Sequence, residues 1–359
     1  MLALAVFTTY VVMDTFVISR VYGEVSDSGS GTEAALQAES DNDKDKDTAN
    51  GTDGSAADDA ESSGSHGPGG KHGKGNGGPP SGGPGHGSKP GKSKSSPDSS
   101  TEGGSSSSSG TSGTSTSDSY SDDNISIKLS EYTEDGTVVH VAEVKADSSD
   151  YLKTAFAQGS YGKNVTATTS DIADSVNAIL AINGDYYGTQ EKGYVIRNGK
   201  LYRSTAVSGR EDLVMYEDGT FEIINESEVT ADQLMAKGAV QTLSFGPALI
   251  ENGTVSVDGN DEVGRAMASN PRTAIGIKAD GTYLFVVSDG RTEESEGLSL
   301  LQLAEFMKEL GAETAYNLDG GGSSTMVFNG SVVNTPTGGG IGNGSGSERK
   351  VSDIVYIGY

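Results

Sequence analysis

Three aspartates stand where an apolar, strand-like run meets glycine, in AINGDYYG, VVSDGR and YNLDGGGSST; they are Asp185, Asp289 and Asp319. A strand holds the side chain at its end in a fixed direction, and a short loop after it leaves that side chain accessible. Carboxylates placed in this way can act as nucleophile, general acid or general base. Because Asp-Gly is above all a turn dipeptide, the repetition of the pattern indicates a site more strongly than any single copy.

Other polar side chains lie beside the same strand ends. The run NPRTAIG supplies Arg272 and Thr273, and Arg291 closes VVSDGR. Asn183 and Asn317 each stand two residues before an aspartate, where an amide can bind a hydroxyl group or hold a loop. Because four polar strand ends occur within one region, we expect them to converge on a single site.

A run of small and hydroxyl residues follows the last aspartate: Gly320, Gly321, Gly322, Ser323, Ser324 and Thr325. Consecutive glycines lose much backbone entropy on folding, and they are useful where φ is positive or a ligand lies against bare backbone. Such a segment can present N–H and O–H donors to an anion, which predicts a phosphate site. It lacks the lysine of a P-loop and the spacing of a dinucleotide fingerprint. The alternative interpretation is a glycine bulge between two strands.

The composition narrows the chemistry further. The chain has 51 acidic against 25 basic side chains, and such an acidic surface disfavours nucleic acid as a partner. Cysteine is absent, which excludes a thiolate nucleophile and a zinc–thiolate site. The one histidine of the C-terminal region, His140, lies in the strand-like GTVVHVAEV, which disfavours a serine–histidine–aspartate triad. No ligand spacing predicts a metal or other cofactor, although Asp185 and Asp319 have the oxygen atoms that calcium or magnesium binds.

Alternating apolar residues predict a protein dominated by strands. Turn dipeptides fold pairs of these strands into hairpins at Asn198, Asp218, Asp280 and Asn329, each followed by glycine. Helical spacing is found in SDIADSVNAIL and in SLLQLAEFMKEL, after which Gly311 ends the helix. We predict an α+β fold, a single domain with a mixed, antiparallel-rich sheet and a few helices packed on one face.

The apolar residues are distributed unevenly and predict three regions. Residues 1–22 begin with a mostly apolar stretch from Met1 to Ser19, close to the roughly 20 residues of a spanning helix, and predict a single-pass membrane anchor. A buried helix of the domain is the alternative. Residues 23–124 are rich in Ser, Gly and Asp, cannot offset their ordering entropy, and predict a disordered tether. Residues 125–359 can form a substantial core and predict the catalytic domain, which the anchor would place outside the cytoplasm at the cell membrane.

Five segments resemble, in order, the phosphodiester glycosidase family: AINGDYYG, FGPALIENG, NPRTAIGIKADGTYLFVVSDGR, GLSLLQLAEFMKELGAETAYNLDGGGSSTM and the terminal RKVSDIVYIGY. The similarity spans about Val165 to Tyr359, and its most specific parts are the Asn-Leu-Asp-Gly-Gly-Gly-Ser run and the Arg-Thr-Ala-Ile-Gly hairpin. The resemblance implies hydrolysis of the glycosidic bond of a sugar-1-phosphodiester, such as an N-acetylglucosamine-1-phosphodiester. It also implies a role in the metabolism of the bacterial cell envelope or of exopolysaccharide.

The resemblance to this family implies a role for each of the strand-end residues. Arg272 and Arg291, together with the Gly320–Gly322 amides and the hydroxyls that follow, would bind the phosphate of the leaving group. Asp319 and Asp185 would form the catalytic pair, one stabilising or attacking the oxocarbenium-like centre and the other activating water or protonating the leaving oxygen. The division of roles between them stays open.

The remaining polar and aromatic residues would support that pair. Asp289 would orient an arginine, and Asn183 and Asn317 would bind sugar hydroxyls or hold loops. Tyr186 and Tyr187 would stack on the sugar face, or one of them would pack in the core. Two other functions remain open: a non-catalytic module that binds phosphate-containing wall polymers, and a carboxylate-held metal phosphodiesterase that cuts the P–O bond.

Overall fold

The computed structural model of the protein describes residues 19–24, 114–259, 269–338 and 346–359. In these ranges the chain forms three α-helices: α1 (Thr169–Ser175), α2 (Ala231–Lys237) and α3 (Leu300–Glu309). The same ranges contain 21 strands: β1 (Arg20–Glu24), β2 (Thr114–Ser115), β3 (Ser119–Ser121), β4 (Ile125–Glu134), β5 (Thr137–Ala146), β6 (Leu152–Phe156), β7 (Ser160–Lys163), β8 (Leu180–Asn183), β9 (Val195–Arg197), β10 (Lys200–Arg203), β11 (Glu211–Tyr216), β12 (Phe221–Asn225), β13 (Ala239–Leu243), β14 (Ala248–Glu251), β15 (Thr254–Val255), β16 (Arg272–Lys278), β17 (Tyr283–Ser288), β18 (Ala312–Asn317), β19 (Met326–Phe328), β20 (Ser331–Val332) and β21 (Asp353–Ile357).

The strands form one large sheet, one of intermediate size and three small ones. The large sheet has nine strands in the order β15-β14-β18-β16-β17-β5-β4-β3-β2, and the second has five in the order β20-β19-β8-β21-β6. The small sheets are β12-β11-β13, β10-β9 and β1-β7. Neighbouring strands are antiparallel, and all four predicted hairpins are present as β9–β10, β11–β12, β16–β17 and β19–β20. The α+β, antiparallel-rich fold predicted from the sequence is confirmed.

The main core lies between the nine-stranded and the five-stranded sheets. Phe285 of β17 and Tyr316 of β18 belong to the same buried cluster as Leu180 of β8 and Val355 of β21. Burial of each such side chain stabilises the fold by roughly 1.5–3 kcal/mol. Because both sheets contribute to this core, the ends of their strands are held in fixed positions relative to one another.

Helices cover both outer faces of this pair of sheets, whereas the sequence predicted them on one face. In α3, Leu303 and Met307 pack with Ala274 on the outer face of the nine-stranded sheet. In α1, Ile172 packs with Ile354 on the outer face of the five-stranded sheet. The reason is that the outer face of each sheet is also apolar and has to be covered.

The longest helix begins and ends where the sequence predicted. The side chain of Ser299 accepts the Gln302 N–H (3.1 Å), and the Gln302 side chain accepts the Ser299 N–H (2.9 Å), which forms a capping box. Gly311 follows with a φ of 89°. The segment SDIADSVNAIL is helical only as far as Ser175, because Asn177 adopts a φ of 50°.

The ordered domain begins before the boundary predicted at residue 125. The strands β2 and β3 lie in the segment predicted as tether, and they extend the nine-stranded sheet beyond β4. The strand β1, at the predicted junction of anchor and tether, pairs with β7, and the ring of Tyr22 lies 5.7 Å from that of Tyr161. Residues 1–18 and 25–113 lie outside the described residues. No helix in the described ranges is long and apolar enough to cross a membrane.

Candidate active site

Polar strand ends from the nine-stranded and the five-stranded sheets meet at one end of the core. Arg272 is opposite Ser288 across β16 and β17, and Ala274 is opposite Asn317 across β16 and β18. Asn183, the last residue of β8, reaches the same place from the five-stranded sheet. The strand ends that carry the predicted site residues therefore lie together.

Asn183 connects three of these segments and is completely buried. Its Oδ1 accepts the Thr273 hydroxyl (2.9 Å) and the Thr325 N–H (3.2 Å). Its Nδ2 donates to the main-chain carbonyl of Asp319 (2.6 Å). Because both ends of the amide bind protein, Asn183 and Thr273 hold the loop that carries Asp319, which is the second of the two roles predicted for the asparagine.

The carboxylate of Asp319 lies in a small network with one serine and one arginine. Arg349 Nη2 donates to both of its oxygens (2.9 and 2.8 Å), and Ser323 Oγ donates to Oδ2 (2.7 Å). Arg349 Nε also donates to Ser323 Oγ (2.7 Å). Asp319 is only 7% exposed, and this burial raises its pKa, although Arg349 and Ser323 counteract the rise. We call these three residues the Asp319 network.

Asp185 lies deeper than Asp319 and accepts three hydrogen bonds. Its Oδ1 accepts Arg197 Nη2 (3.0 Å) and the Tyr187 N–H (3.1 Å), and its Oδ2 accepts the Ser244 N–H (2.8 Å). Arg197 also donates to Asp353 Oδ2 through Nε (3.0 Å) and Nη2 (2.7 Å). Asp185 has no exposed surface, so the structure places it behind the site rather than on its wall.

The acids around Arg197 carry more negative charge than one arginine balances. Burial and the charge of Asp185 raise the pKa of Asp353 to about 7. Burial alone would lower the pKa of Arg197, but Asp185 and Asp353 raise it. The charge of Asp185 also contributes to the raised pKa of Asp319. Burial and the neighbouring negative charge therefore favour a protonated carboxyl in this layer close to neutral pH.

The glycine run forms a tight turn, Gly320–Ser324, rather than an open anion nest. The Gly321 N–H donates to the carbonyl of Pro271 (2.7 Å), and the N–H groups of Ser323 and Ser324 donate to carbonyls within the turn. Gly321 adopts a φ of 61°, and a Cβ there would lie 3.0 Å from Arg291 Nη2. Glycine at this position therefore allows a guanidinium to lie against bare backbone.

Some buried polar atoms beside the turn have no protein partner within the described residues. They are Ser324 Oγ, Thr325 Oγ1 and Asn317 Oδ1. The other end of the Asn317 amide donates to the carbonyl of Gly246 (2.7 Å). Both hydroxyls are as deeply buried as Asp185 (1% and 0% exposed), so they lie behind the surface of the turn, and the phosphate contact predicted for them from the sequence stays a prediction.

Two arginines, Arg291 and Arg349, flank the turn. Arg291 is exposed, and its Nε and Nη2 donate to Asn270 Oδ1 (3.2 and 2.8 Å). Arg349 is 44% exposed on its side chain and also donates to the carbonyl of Gly320 (3.2 Å). Arg272, predicted to bind phosphate, instead donates to the carbonyl of Leu298 (2.8 Å), at the start of the segment that leads into α3.

Asp289 supports a loop instead of orienting an arginine. Its Oδ1 accepts the Thr335 N–H (2.8 Å) and Asn334 Nδ2 (3.3 Å), and its Oδ2 lies 3.7 Å from His140 Nε2. Burial raises its pKa, but His140 and these hydrogen bonds outweigh that effect and lower it. Asn334 Nδ2 in turn donates to the carbonyl of Ser324 (3.0 Å). Asp289 is therefore connected to the glycine turn through Asn334.

The two tyrosines that follow Asp185 have different environments. Tyr187 is buried in an aromatic cluster and stacks on Tyr161 with ring centroids 5.4 Å apart. Tyr186 is partly exposed and adopts a φ of 64°, which is unfavourable for a residue with a large side chain. Backbone strain of this kind is concentrated at functional sites. Tyr187 is thus the core residue of the pair, and Tyr186 stays a candidate for substrate contact.

Sequence reasoning missed three charged residues of the site: Arg197, Arg349 and Asp353. Asp353 stands at the start of the apolar run of β21 and no glycine follows it, so the pattern that indicated the other aspartates, at the ends of strands, did not include it. Arg197 lies at a hairpin turn, where an arginine is usually solvated. Arg349 lies outside any strand, so only its place in the C-terminal segment RKVSDIVYIGY could have pointed to it.

An aspartate bound by arginine and serine, beside a glycine turn with a second arginine, suits a hydrolase for a sugar substrate that carries an anion. A family model described as phosphodiester glycosidase matches residues 176–358, and the chain belongs to the phosphodiester glycosidase family. The family predicted from the sequence is thereby confirmed.

Several relatives match the domain in sequence, and two of them illustrate the range. N-acetylglucosamine-1-phosphodiester alpha-N-acetylglucosaminidase of Mus musculus is 31% identical over 208 residues, which cover 53% of this chain and 40% of the relative. SPbeta prophage-derived uncharacterized protein YomE of Bacillus subtilis (strain 168) is 29% identical over 221 residues, covering 60% of this chain and 33% of the relative. The chain thus spans well under half the length of these relatives.

Solved structures share the fold. The zebrafish N-acetylglucosamine-1-phosphodiester alpha-N-acetylglucosaminidase catalytic domain, auto-inhibited by its pro-peptide, superposes with a TM-score of 0.52 at 25% identity, over 66% of this chain and 83% of that one. A hypothetical protein from Synechocystis superposes with a TM-score of 0.51 at 15% identity, over 66% of this chain and 62% of that one. At 15% identity, the Synechocystis protein shows only that the fold is shared.

Proposed function

We propose that the domain hydrolyses the glycosidic bond of a sugar-1-phosphodiester of the N-acetylglucosamine-1-phosphodiester type. The observation that carries this proposal is the Asp319 network, which puts a carboxylate next to the Gly320–Ser324 turn and its two arginines. The family gives independent support, and the name of the mouse relative describes this class of substrate.

The phosphate of the substrate would bind at the turn, between Arg291 and Arg349. Both guanidinium groups are accessible, and arginine binds phosphate oxygens with paired, charge-assisted hydrogen bonds. Since the leaving group departs as a phosphate monoester anion, positive charge at this place stabilises the transition state more than the ground state.

Asp319 would act at the anomeric carbon. As the bond from that carbon to the phosphate oxygen breaks, its electron pair leaves with the phosphate, and positive charge develops on the sugar ring. The ionised Asp319 stabilises or attacks this centre, and water then supplies the new hydroxyl while its proton passes to a carboxylate or to solvent. Because a phosphate monoester is a weakly basic leaving group, the reaction needs less help from a general acid than ordinary glycoside hydrolysis does.

Asp185 would position the site and tune its charge. It has no exposed surface, and its oxygens are occupied by Arg197 and two main-chain N–H groups. Burial is the main cause of the raised pKa of Asp319, and the negative charge of Asp185 adds a smaller rise. Of the catalytic pair expected from the sequence, we therefore assign Asp319 to the reaction itself and Asp185 to a supporting position behind it.

The metal phosphodiesterase has less support from the site. The two carboxylates it would use, Asp185 and Asp319, already bind Arg197 and Arg349. Among the described residues, no group of three or more histidine, aspartate and glutamate side chains is arranged to hold a metal ion. The binding-module alternative uses the same arginines and differs from a hydrolase only in turnover.

We also propose that the domain works outside the cytoplasm, held at the membrane by the apolar residues before β1, on substrates of the bacterial envelope or exopolysaccharide. The anchor predicted as residues 1–22 is shortened, because Arg20–Tyr22 belong to β1, which pairs with β7. The support is the apolar composition of Met1 to Ser19, together with a bacterial relative. Protease treatment of intact cells tests the location, since an extracytoplasmic domain is degraded there and a cytoplasmic one is protected.

The decisive experiment follows the oxygen of water into the products. The full chain is incubated in oxygen-18 water with an N-acetylglucosamine-1-phosphodiester, with and without chelator, and mass spectrometry locates the label. We expect label in the free sugar, no effect of chelator, and no turnover by a folded Asp319→Asn variant. The exposed Asp280→Asn variant, at the turn between β16 and β17, serves as the matched control and should keep full activity.

Each other outcome points to a different function. Label in the phosphate, with chelator sensitivity, would establish the metal phosphodiesterase. Saturable binding of a phosphate-containing wall polymer, without turnover by the folded protein, would establish the binding module. Full turnover by the Asp319→Asn variant would overturn the assignment of the site itself.

A further inference from the structure

A second depression opens beside the site, at the same end of the strands. It has a volume of about 360 Å³ and is lined by residues 207–211 on one side and 245–247 on the other. The hydroxyl of Tyr316 lies beneath it and donates to the main-chain carbonyl of Glu211 (2.7 Å), which fixes one wall. We call this depression the Phe245 cleft.

The hydrogen bonds of its wall connect the Phe245 cleft directly to the site. The Ser244 N–H donates to Asp185 Oδ2 (2.8 Å), and the carbonyl of Gly246 accepts Asn317 Nδ2 (2.7 Å). Phe245 lies between these two contacts. Asn317, which contacts the cleft wall, lies two residues before Asp319, and Asp319 in turn contacts Arg349, so hydrogen bonds connect the cleft to the arginine side of the site.

A larger cavity, of about 470 Å³, has no such connection. It is lined by Tyr216–Asp218, Thr220–Glu222 and Lys237, around the turn that joins β11 to β12. The Phe245 cleft is at the opposite end of β11, where Glu211 begins the strand. Position therefore favours the smaller cavity as an extension of the active site.

Phe245 is exposed where a buried aromatic ring would be expected. Its exposed fraction is 41%, although it follows the buried Leu243 and Ser244 at the end of β13. The other large apolar side chains that are exposed among the described residues lie on β1, β4, β20 and at the chain end. An exposed aromatic ring beside a polar site presents a flat apolar surface to a ligand.

We propose that the Phe245 cleft binds the pyranose ring of the substrate, whose apolar face stacks on Phe245. This proposal rests on the proposed function and adds the orientation of the substrate: the sugar lies toward Phe245, and the phosphate lies toward Arg291 and Arg349. A pyranose combines an apolar face with a rim of hydroxyls. The cleft offers both kinds of contact, because Glu211 and Ser208 line it together with Phe245.

Binding can be measured without turnover, because the chain contains no tryptophan. In the Phe245→Trp variant the new indole is the single tryptophan, and its emission reports what enters the cleft. Methyl N-acetylglucosaminide should change this emission in a saturable way, and inorganic phosphate should not. The Tyr132→Trp variant, at an exposed position on β4 (38% exposed), is the matched control and should respond to neither probe.

Kinetics supply the second measurement. We expect Phe245→Ala to raise KM about tenfold with little change in kcat, the size of one well-placed aromatic contact. Phe245→Tyr keeps the flat ring, so its KM should rise less than that of Phe245→Ala. A folded Phe245→Ala variant with an unchanged KM would overturn the proposal.

The outcomes separate this proposal from the proposed function. If the parent enzyme releases labelled sugar but the Phe245→Trp emission responds to neither probe, or to phosphate alone, the cleft is not the sugar subsite and the function stands. If the emission responds to sugar but the parent enzyme releases no product, the subsite stands and the hydrolase assignment fails. An equal response of the Tyr132→Trp control would overturn the subsite, because the effect would then be general.

Discussion

Arg349 favours the ionised form of Asp319, since it donates to both oxygens of the carboxylate. Burial raises the pKa of Asp319, and the guanidinium counteracts this rise. If the ionised form of Asp319 is the active one, activity is lost as pH falls through its pKa. We therefore expect Arg349→Gln to move the acidic limb of the kcat profile to higher pH, because the counteracting charge is gone.

The Arg349→Lys variant is the control for this prediction, because it keeps the positive charge and changes only the geometry. Its acidic limb should lie closer to that of the parent enzyme, and its KM should still rise because paired donors to phosphate are lost. An acidic limb that stays in place in folded Arg349→Gln would show that a group other than Asp319 sets it.

Residue patterns indicated strand ends that lie together in the structure, but they did not fix the direction of every side chain. Arg272 and Thr273 are adjacent on β16 and point to opposite faces of the sheet, Thr273 toward Asn183 and Arg272 toward the carbonyl of Leu298. Both faces of this strand are buried, so its sequence has no polar face to show which neighbour enters the site. Arg349 could not be found in this way, because it lies outside any strand.

At the scale of elements, the glycine turn makes a specific prediction. Gly321 has a positive φ, and a Cβ there would lie 3.0 Å from Arg291 Nη2. Gly321→Ala should therefore lower the free energy of unfolding by about 1 kcal/mol through backbone strain, and also displace Arg291. Weaker phosphate binding should then appear as a higher KM in steady-state kinetics.

A second glycine separates the two effects. Gly281, in the turn between β16 and β17, has a φ of 82°, and nothing lies within 4 Å of a Cβ built there. Gly281→Ala should cause a similar loss of stability in denaturant unfolding and leave KM unchanged. Equal KM values in the two variants would contradict a role for the turn in holding Arg291.

Strands were predicted well where a turn dipeptide lies between runs of alternating apolar and polar residues. They were predicted poorly where a segment is a strand only because it pairs with a strand that is distant in sequence. The four hairpins are examples of the first kind. The strand β1, with the sequence RVYGE, is an example of the second, since nothing in five residues beside a low-complexity segment indicates its partner β7. Its backbone is ordered by hydrogen bonds to a strand that is distant in sequence, and the local pattern of residues gives no indication of such bonds.

The pairing of β1 with β7 predicts that the domain needs residues from before the predicted tether. A fragment of residues 114–359 loses these hydrogen bonds and the contact of Tyr22 with Tyr161. We expect it to melt at a lower temperature than a protein in which a short Gly/Ser linker replaces residues 25–113 and keeps β1. The control is the linker protein with Tyr22→Ser, which should melt between the two. Equal melting temperatures for all three would show that β1 adds no stability.

For the whole molecule, buried acids make the free energy of unfolding decrease as pH rises. Ordinary acid denaturation has the opposite dependence, because there stability is lost as pH falls. The pKa of Asp353 is raised to about 7 by burial and by Asp185, and burial raises the pKa of Asp212 and Asp319 as well. The folded protein therefore binds more protons than the unfolded chain between about pH 4 and about pH 7. The stability that these protons contribute is complete below the unfolded pKa and is lost as pH rises through the folded one.

Melting temperatures at about pH 5 and about pH 8 test this prediction. We expect the parent protein to melt at the higher temperature at the lower pH, since the net charge of −26 adds repulsion in the same direction as pH rises. Asp353→Asn removes the group that titrates near neutrality and should reduce the difference. Asp280→Asn removes an exposed acid whose pKa is lowered to about 2, outside this range, and should leave the difference unchanged. A pH dependence that survives unchanged in Asp353→Asn would mean that the layer behind the site does not hold the proton.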